Sequence, residues 1–174
     1  SSFLELLPAV ISQVIDEIEI EQRLAHTEQA LKTSESNFRQ IFEQSGRAIF
    51  VQQEASFVLI NSAFEELFEY SKDELLSDDF DFLELVHDEF RDKIKSRELN
   101  RLLGNSVKKD FDFQAISKSG RIIDAVVSTS KITWNGKSAS LGILNDVTEY
   151  KKFQDEIRKS AKLESLGFLA SGVA

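Results

Sequence analysis

The chain has 174 residues, 41% of them apolar and 14 of them Phe, enough for one compact domain with a real core and helical extensions. A formal net charge of −9 disfavours nucleic acid and anionic membrane as partners. Without Cys there can be no disulfide, thiolate metal site or Cys nucleophile, and one Pro with seven Gly argues against disorder and a loop-rich architecture.

Residues 3–44 read as helix. Leu6, Leu7, Val10, Ile11, Val14, Ile15 and Ile18 recur at helical spacing, with Pro8 acceptable in a first turn. Asp16, Glu17, Glu19 and Glu21 rule out a membrane span. Leu24, Leu31 and Phe38 then recur every seven residues, with Thr27, Ser34 and Ile41 at the complementary positions, a half-polar seam of the weak coiled-coil kind. A single amphipathic helix packed on its own domain and a parallel dimer helix both fit; the length and the charged outer faces favour the dimer.

Gly46 closes this helix. Ala48–Val51 and Ser56–Ile60 are β-branched and aromatic runs separated by Gln52-Gln53-Glu54, a hairpin pattern without Asn-Gly or Asp-Gly. Asn61-Ser62 caps a short helix over 63–68, and Ser71 with Glu74 forms a capping box for a turn reaching Leu75. An acidic loop, 77–81, leads into 82–86. Residues 88–103 read as a further helix, with Phe90, Ile94 and Leu102 among its apolar positions.

Beyond Gly104-Asn105 the period changes from helical to two. Asp110 to Ala115 alternates cleanly, Lys118-Ser119-Gly120 turns, and 121–134 is a long strand with Ile123, Ala125, Val127 and Thr129 on one side. Asn135-Gly136 is the strongest hairpin signal in the chain. A last strand, 138–145, runs into Asp146-Val147-Thr148-Glu149, where Asp followed three residues later by Glu makes a capping-box pattern. The helix that follows carries one seam at Tyr150, Phe153, Ile157 and Ser160 and another at Leu163, Leu166, Ala170 and Val173. The two are out of register by about one residue, a slip that alters local winding in a coiled coil. Two strands, short helices and then three antiparallel strands make an α+β layout.

In order and spacing, residues 34–152 resemble a PAS domain, the sensory module of many bacterial signalling proteins. The motifs that carry the resemblance are Ser34 to Phe42, Ile60-Asn61-Ser62-Ala63-Phe64, Tyr70 to Leu75, Leu85-Val86-His87-Asp88, Lys118-Ser119-Gly120 and Asp146-Val147-Thr148. Glu69 stands where the family usually has Gly before the Tyr, and Asp88 where it has Pro after the His. Tyr150 occupies a position often held by an Arg that pairs with the motif Asp, leaving Lys151 or Lys152 as substitutes. A second run, Lys162 to Ala174, resembles the first helix of a histidine kinase dimerisation domain, in which a phosphoacceptor His follows at once.

The resemblance implies a PAS fold, an antiparallel five-stranded sheet with flanking short helices, between long N- and C-terminal coiled-coil-type helices. It divides the chain into a signalling and dimerisation helix (1–44), a PAS domain (45–148) and a helix entering the kinase dimerisation domain (149–174). The expected function is sensory relay in a two-component histidine kinase, through a signal junction at Asp146, Thr148 and Glu149. The alternative is a ligand-free dimerisation or docking module of another output protein, such as a cyclic-dinucleotide synthase.

Phe64, Phe68, Phe82, Phe90, Phe111 and Phe113 are candidates for a ligand pocket between helices and sheet, although aromatic residues at such spacings are more often plain core. Some PAS domains bind haem through a His, which would make His87 the ligand, but the family's histidine at this motif is generally not that ligand, so a structural or surface role is expected of it; His26 lies in a charged helix and is expected in solvent. No resident cofactor is expected; haem at His87 and a small apolar ligand are the less favoured alternatives. The acidic stretches at 78–81 and 110–112 lack the spacing of a calcium loop, so no metal is expected. No Ser–His–Asp set or phosphate-binding glycine loop occurs, so catalysis would belong to the parent kinase and not to these residues.

A homodimer through the flanking helices is expected, with the kinase domain and a response regulator as partners in the parent protein. No apolar run can span a bilayer and no signal peptide is evident, so a cytoplasmic location is expected, with no membrane contact by these residues. Met is absent even at position 1, as expected of a segment excised from a longer protein or of a record that has lost its Met.

Overall fold

A computed structural model describes residues 2–103 and 109–172, and their side chains apart from those of 2–6, 102 and 169–171. The Gly104-Asn105 boundary and Val173 lie outside the described residues, as do the side chains of Leu6, Leu102 and Ala170. The chain divides into two units, residues 1–44 and 45–174.

The first unit is one helix, α1, Ser2–Glu43. Because it starts at Ser2, Pro8 lies inside the helix and not in its first turn, where its missing N–H costs a backbone bond. The seven-residue seam is open, with Leu24 59%, Leu31 68% and Phe38 54% exposed. Val10, Ile11, Val14, Ile15 and Ile18 are exposed as well.

The second unit is built on β1 (Ala48–Gln53) and β2 (Ser56–Ile60), then α2 (Ser62–Phe68), α3 (Lys72–Leu75), a 3₁₀ turn (Phe82–Leu85) and α4 (Asp88–Leu102). It continues with β3 (Asp110–Ile116), β4 (Ile122–Trp134), β5 (Lys137–Asp146) and α5 (Thr148–Ser171). The sheet order is β2-β1-β5-β4-β3, and every pairing is antiparallel. The last strand in sequence is therefore the middle of the sheet.

Two hairpins of the same kind hold the ends. In Asn135-Gly136 both residues have positive φ, 48° and 77°, the geometry that matches strand twist and that Asn and Gly adopt at least cost. Glu54 and Ala55 take the same conformation, φ 51° and 71°. The first hairpin is thus tighter than its polar Gln52-Gln53-Glu54 stretch suggests, because Gln52 and Gln53 are strand residues. Pairing of Gln52 with Ser140 on β5 draws them into the ladder, and Gln52 Nε2 steadies the turn by donating to the Ala55 carbonyl at 3.2 Å.

Alternation puts Ala48 and Phe50 of β1, Leu144 of β5, Ala125 and Val127 of β4, and Phe113 and Ala115 of β3 on one face. Phe64 and Phe68 of α2, Leu75 of α3 and Leu85 of the 3₁₀ turn pack on that face to make the core. Asp110 and Asp112, one step out of phase, face solvent.

Asn61 ties the helices to the sheet. It is wholly buried; its Oδ1 accepts from the amides of Phe64 (3.2 Å) and Ile49 (2.9 Å), and its Nδ2 donates to the Arg47 carbonyl (3.0 Å). One side chain thus caps α2 and fixes the start of β1. Ser71 and Glu74 form the expected capping box on α3.

Candidate functional site

The junction between β5 and α5 is fastened to β4. The Val147 amide donates to the Asp124 carbonyl at 2.8 Å, and the Asp124 amide donates to Thr148 Oγ1 at 2.9 Å. Lys151 Nζ lies 3.3 Å from Asp124 Oδ1, and the Thr148 amide donates to Asp146 Oδ1 at 2.9 Å. The first residue of α5 is therefore held from both sides.

The capping box expected of Asp146 and Glu149 does not form. The cap position falls on Val147, with no side-chain cap bond, because Asp146 is still paired in the sheet opposite Ala125. The Asp146 carboxylate accepts from the amide two residues on, at Thr148, and not from that of Glu149. Glu149 contributes its charge to the first turn of α5.

With Tyr150 in place of a cation, Asp146 takes a partner from elsewhere in the chain. Arg121 Nη1 lies 3.8 Å from Asp146 Oδ2, while its Nε lies 3.7 Å from Glu69 Oε1 and its Nη2 donates to the Leu67 carbonyl at 2.9 Å. Lys151 pairs with Asp124 instead. Arg121 thus joins the end of α2 to the junction. Glu69 itself closes α2 in the left-handed region, φ 63°, a conformation that costs a non-glycine residue about 1 kcal/mol. Its carboxylate is held there by Ser117 Oγ at 2.9 Å and the Ser119 amide at 3.1 Å. The Ser119 and Ser117 side chains, the Ser119 amide and the Arg121 charge lower its pKa. Asp124 and Arg121 carry no sequence signal for this role, since a polar residue on a strand reads as a wet face.

Between the helices and the sheet lies a cavity of about 90 Å³. Phe64, Phe68, Phe82 and Phe113 line it, whereas Phe90 and Phe111 do not. Phe90 shares a helix face with Ile94, Arg97 and Arg101, which do line the cavity, but it sits a full turn nearer the start of α4, packed against the core. Phe111 lies further out along β3, its ring stacked on Phe113 at 6.1 Å and beneath the Arg97 guanidinium at 5.4 Å.

Phe50 of β1 and Phe57 of β2, absent from that set of candidates, also line the cavity. Phe50, Phe57 and Phe64 meet edge to face, with centroids 5.2–5.5 Å apart. Gly142 lies opposite Phe50 in the ladder, and a Cβ there would collide with the Phe50 ring. Only glycine lets that ring lie flat on β5.

One end of the cavity is polar. Arg97 Nη2 donates to Thr129 Oγ1 at 3.2 Å and to the Lys109 carbonyl at 3.3 Å, and burial lowers the Arg97 pKa. Arg101 donates to Ser140 Oγ, to Gln52 Oε1 at 3.4 Å and to the Glu98 carboxylate.

His87 stands at the start of α4, its amide donating to the Gln114 carbonyl at 2.9 Å, and is not among the cavity residues. A porphyrin is far larger than this cavity, so the residues present do not fit a haem. Among the described residues no group of three or more His, Asp or Glu is placed to hold a metal ion, and no helix is long and apolar enough to cross a membrane.

A family model described as PAS fold matches residues 36–147. The methyl sulfide methyltransferase-associated sensor of Methanosarcina acetivorans is 28% identical over 140 residues, covering 79% of this chain and 14% of that protein. Sensor protein TdiS of Thauera aromatica is 27% identical over 154 residues, covering 82% of this chain and 27% of that protein. The chain thus spans about a quarter or less of the curated relatives it matches. A solved domain of the sensory box sensor histidine kinase/response regulator from Geobacter sulfurreducens aligns with a TM-score of 0.54 at 20% identity, over 67% of this chain and 96% of that one.

Proposed function

The chain belongs to the PAS family, and from that premise we propose that it is the sensory and relay segment of a larger cytoplasmic two-component histidine kinase. A change in the cavity moves β5, β5 moves the start of α5, and α5 re-aims the kinase part of the same protein. Through that kinase the signal reaches a response regulator. The observation that carries the proposal is the path of β5. This strand lines the cavity at Leu144 and becomes the junction at Asp146, about 7 Å further along.

The junction suits a relay because its ties are several and each is weak. Hydrogen bonds to Asp124 contribute about 1 kcal/mol each, and half-exposed ion pairs such as Arg121–Asp146 contribute about 0–1 kcal/mol. A shift worth a few kcal/mol is enough to exchange one set for another. Dimerisation supplies the lever. Tyr150, Phe153, Ile157, Leu163 and Leu166 on α5 are all more than half exposed, as are Leu24, Leu31 and Phe38 on α1. A second copy covering these stripes gives a two-helix seam at each end, and the register slip near Ser160 gives the C-terminal seam two packings.

No Cys within this chain competes with introduced ones. Single Cys residues placed at 150, 153, 157, 163 and 166 in the full-length protein are oxidised, and crosslinked dimer is measured for variants locked in signalling-on and signalling-off states. A crosslinking pattern that shifts between the two states is expected. One unchanged pattern would refute relay through α5.

A further inference from the structure

The cavity has an apolar body and a cationic end, and this combination specifies a class of ligand. Of the charged side chains that line it, two are guanidiniums, Arg97 and Arg101, and one is a carboxylate, Glu98. Asp110 lies within Coulomb reach of Arg97, but it is exposed, on the opposite face of β3, and bonded to Ser128 Oγ. The lining therefore carries a surplus of positive charge, within a chain whose net charge is −9. Repulsion by the remaining surface is damped beyond roughly 8 Å at physiological ionic strength, so the local surplus decides what binds.

Resting on the sensory function proposed above, we infer that the cavity binds a small carboxylic acid with an apolar body of about four carbons, its carboxylate held by Arg101 and Arg97. Arg101 has five N–H donors; Ser140 takes one on Nη1, and Gln52 and Glu98 take both on Nη2, and since either planar, paired arrangement with a carboxylate uses an Nη2 hydrogen, a bound carboxylate takes the place of Glu98. Arg97 sits one turn back on the same face of α4 and adds its charge. Glu98 holds the Nη2 hydrogen that the paired geometry needs and competes with the ligand's carboxylate. A neutral apolar ligand fills the same space but strips water from two cations with one anion between them, which is unfavourable. The size follows from volume: roughly 150 Å³ accepts the six carbons of benzene, so the 90 Å³ here suits about four.

Pentanoate, 1-pentanol and pentylamine share a four-carbon body and differ in the charge of the head. Each is titrated into the 174-residue chain by calorimetry, and amide shifts are followed by NMR at Thr129 and Leu144. Pentanoate is expected to bind at least about tenfold more tightly than 1-pentanol, with no binding of the amine. Arg101→Gln should erase the preference while 1-pentanol still binds, and Glu98→Gln should raise pentanoate affinity several-fold by removing the competing carboxylate. Equal or tighter binding of 1-pentanol overturns the inference, as does no response to pentanoate at roughly 20 mM or weaker binding by Glu98→Gln. These titrations report on the cavity alone, whereas crosslinking along α5 reports on the relay, so either can fail while the other stands.

Discussion

Replacing Thr148 by Val isolates one oxygen at the junction. Val keeps the β-branched shape and removes only the acceptor of the Asp124 amide, which is half-buried on β4. Removing one partner of a hydrogen bond costs the desolvation of the group left behind, about 1–3 kcal/mol. Partial exposure of Asp124 places the expected loss in the lower half, about 1–2 kcal/mol. Val147 and Lys151 still hold Asp124, so the strand stays docked. Trp134, the single Trp, lies at the end of β4 and reports unfolding of the second unit by fluorescence. With a urea slope near 2 kcal/mol/M, the midpoint should fall by about 0.5–1 M, and the Asp124 amide should exchange about tenfold faster. Thr148→Ser, which keeps the oxygen, should stay close to the parent. A Val variant with unchanged midpoint and unchanged Asp124 exchange would show that this bond does not fasten the junction.

Three further outcomes follow from the packing. Asn61→Ala leaves the amides of Ile49 and Phe64 and the Arg47 carbonyl without their side-chain partner in a site closed to water, and should cost about 2–4 kcal/mol by denaturation. Gly142→Ala drives the Phe50 ring off β5 and should cost about 1–3 kcal/mol, with part regained in the Gly142→Ala, Phe50→Leu double variant; purely additive losses would refute the collision. Lys118 and then Ser71 hold the Glu74 pKa at about 2 against an ordinary value of 4.5. The unfolded chain binds the proton more readily, so this contribution is present above pH 4.5 and is lost as pH falls towards about 2. Glu74→Gln should flatten the stability profile in that window, and an unaltered slope would count against the pairing.

Local rules carried most of the fold. Asn135-Gly136, the capping box of Ser71 and Glu74, and the alternation from Asp110 to Ala115 each state a backbone conformation in the residues themselves. What escaped depended on residues far apart in sequence. Glu54-Ala55 makes the same turn as Asn135-Gly136 because pairing of Gln52 with Ser140 extends β1 up to it, and no local preference of Glu or Ala announces that. The same holds for the sites. Phe64, Phe68 and Phe113 are legible as pocket residues, but the rings that meet Phe64, those of Phe50 and Phe57, lie on β1 and β2, whose facing depends on register. At Asp146 the local capping pattern was present, yet the ladder claimed the residue and Arg121 became its ion-pair partner.

Autophosphorylation of the proposed full-length kinase carrying Asp146→Ala tests the proposed relay most directly. Asp146 is at the surface of the junction, held to Thr148 and Arg121, so its loss should cost only about 0.5–1.5 kcal/mol and leave the domain folded. The account predicts a variant with a near-parental urea midpoint whose kinase activity no longer follows the signal, fixed high or fixed low. A folded variant whose kinase responds as the parent does would contradict it.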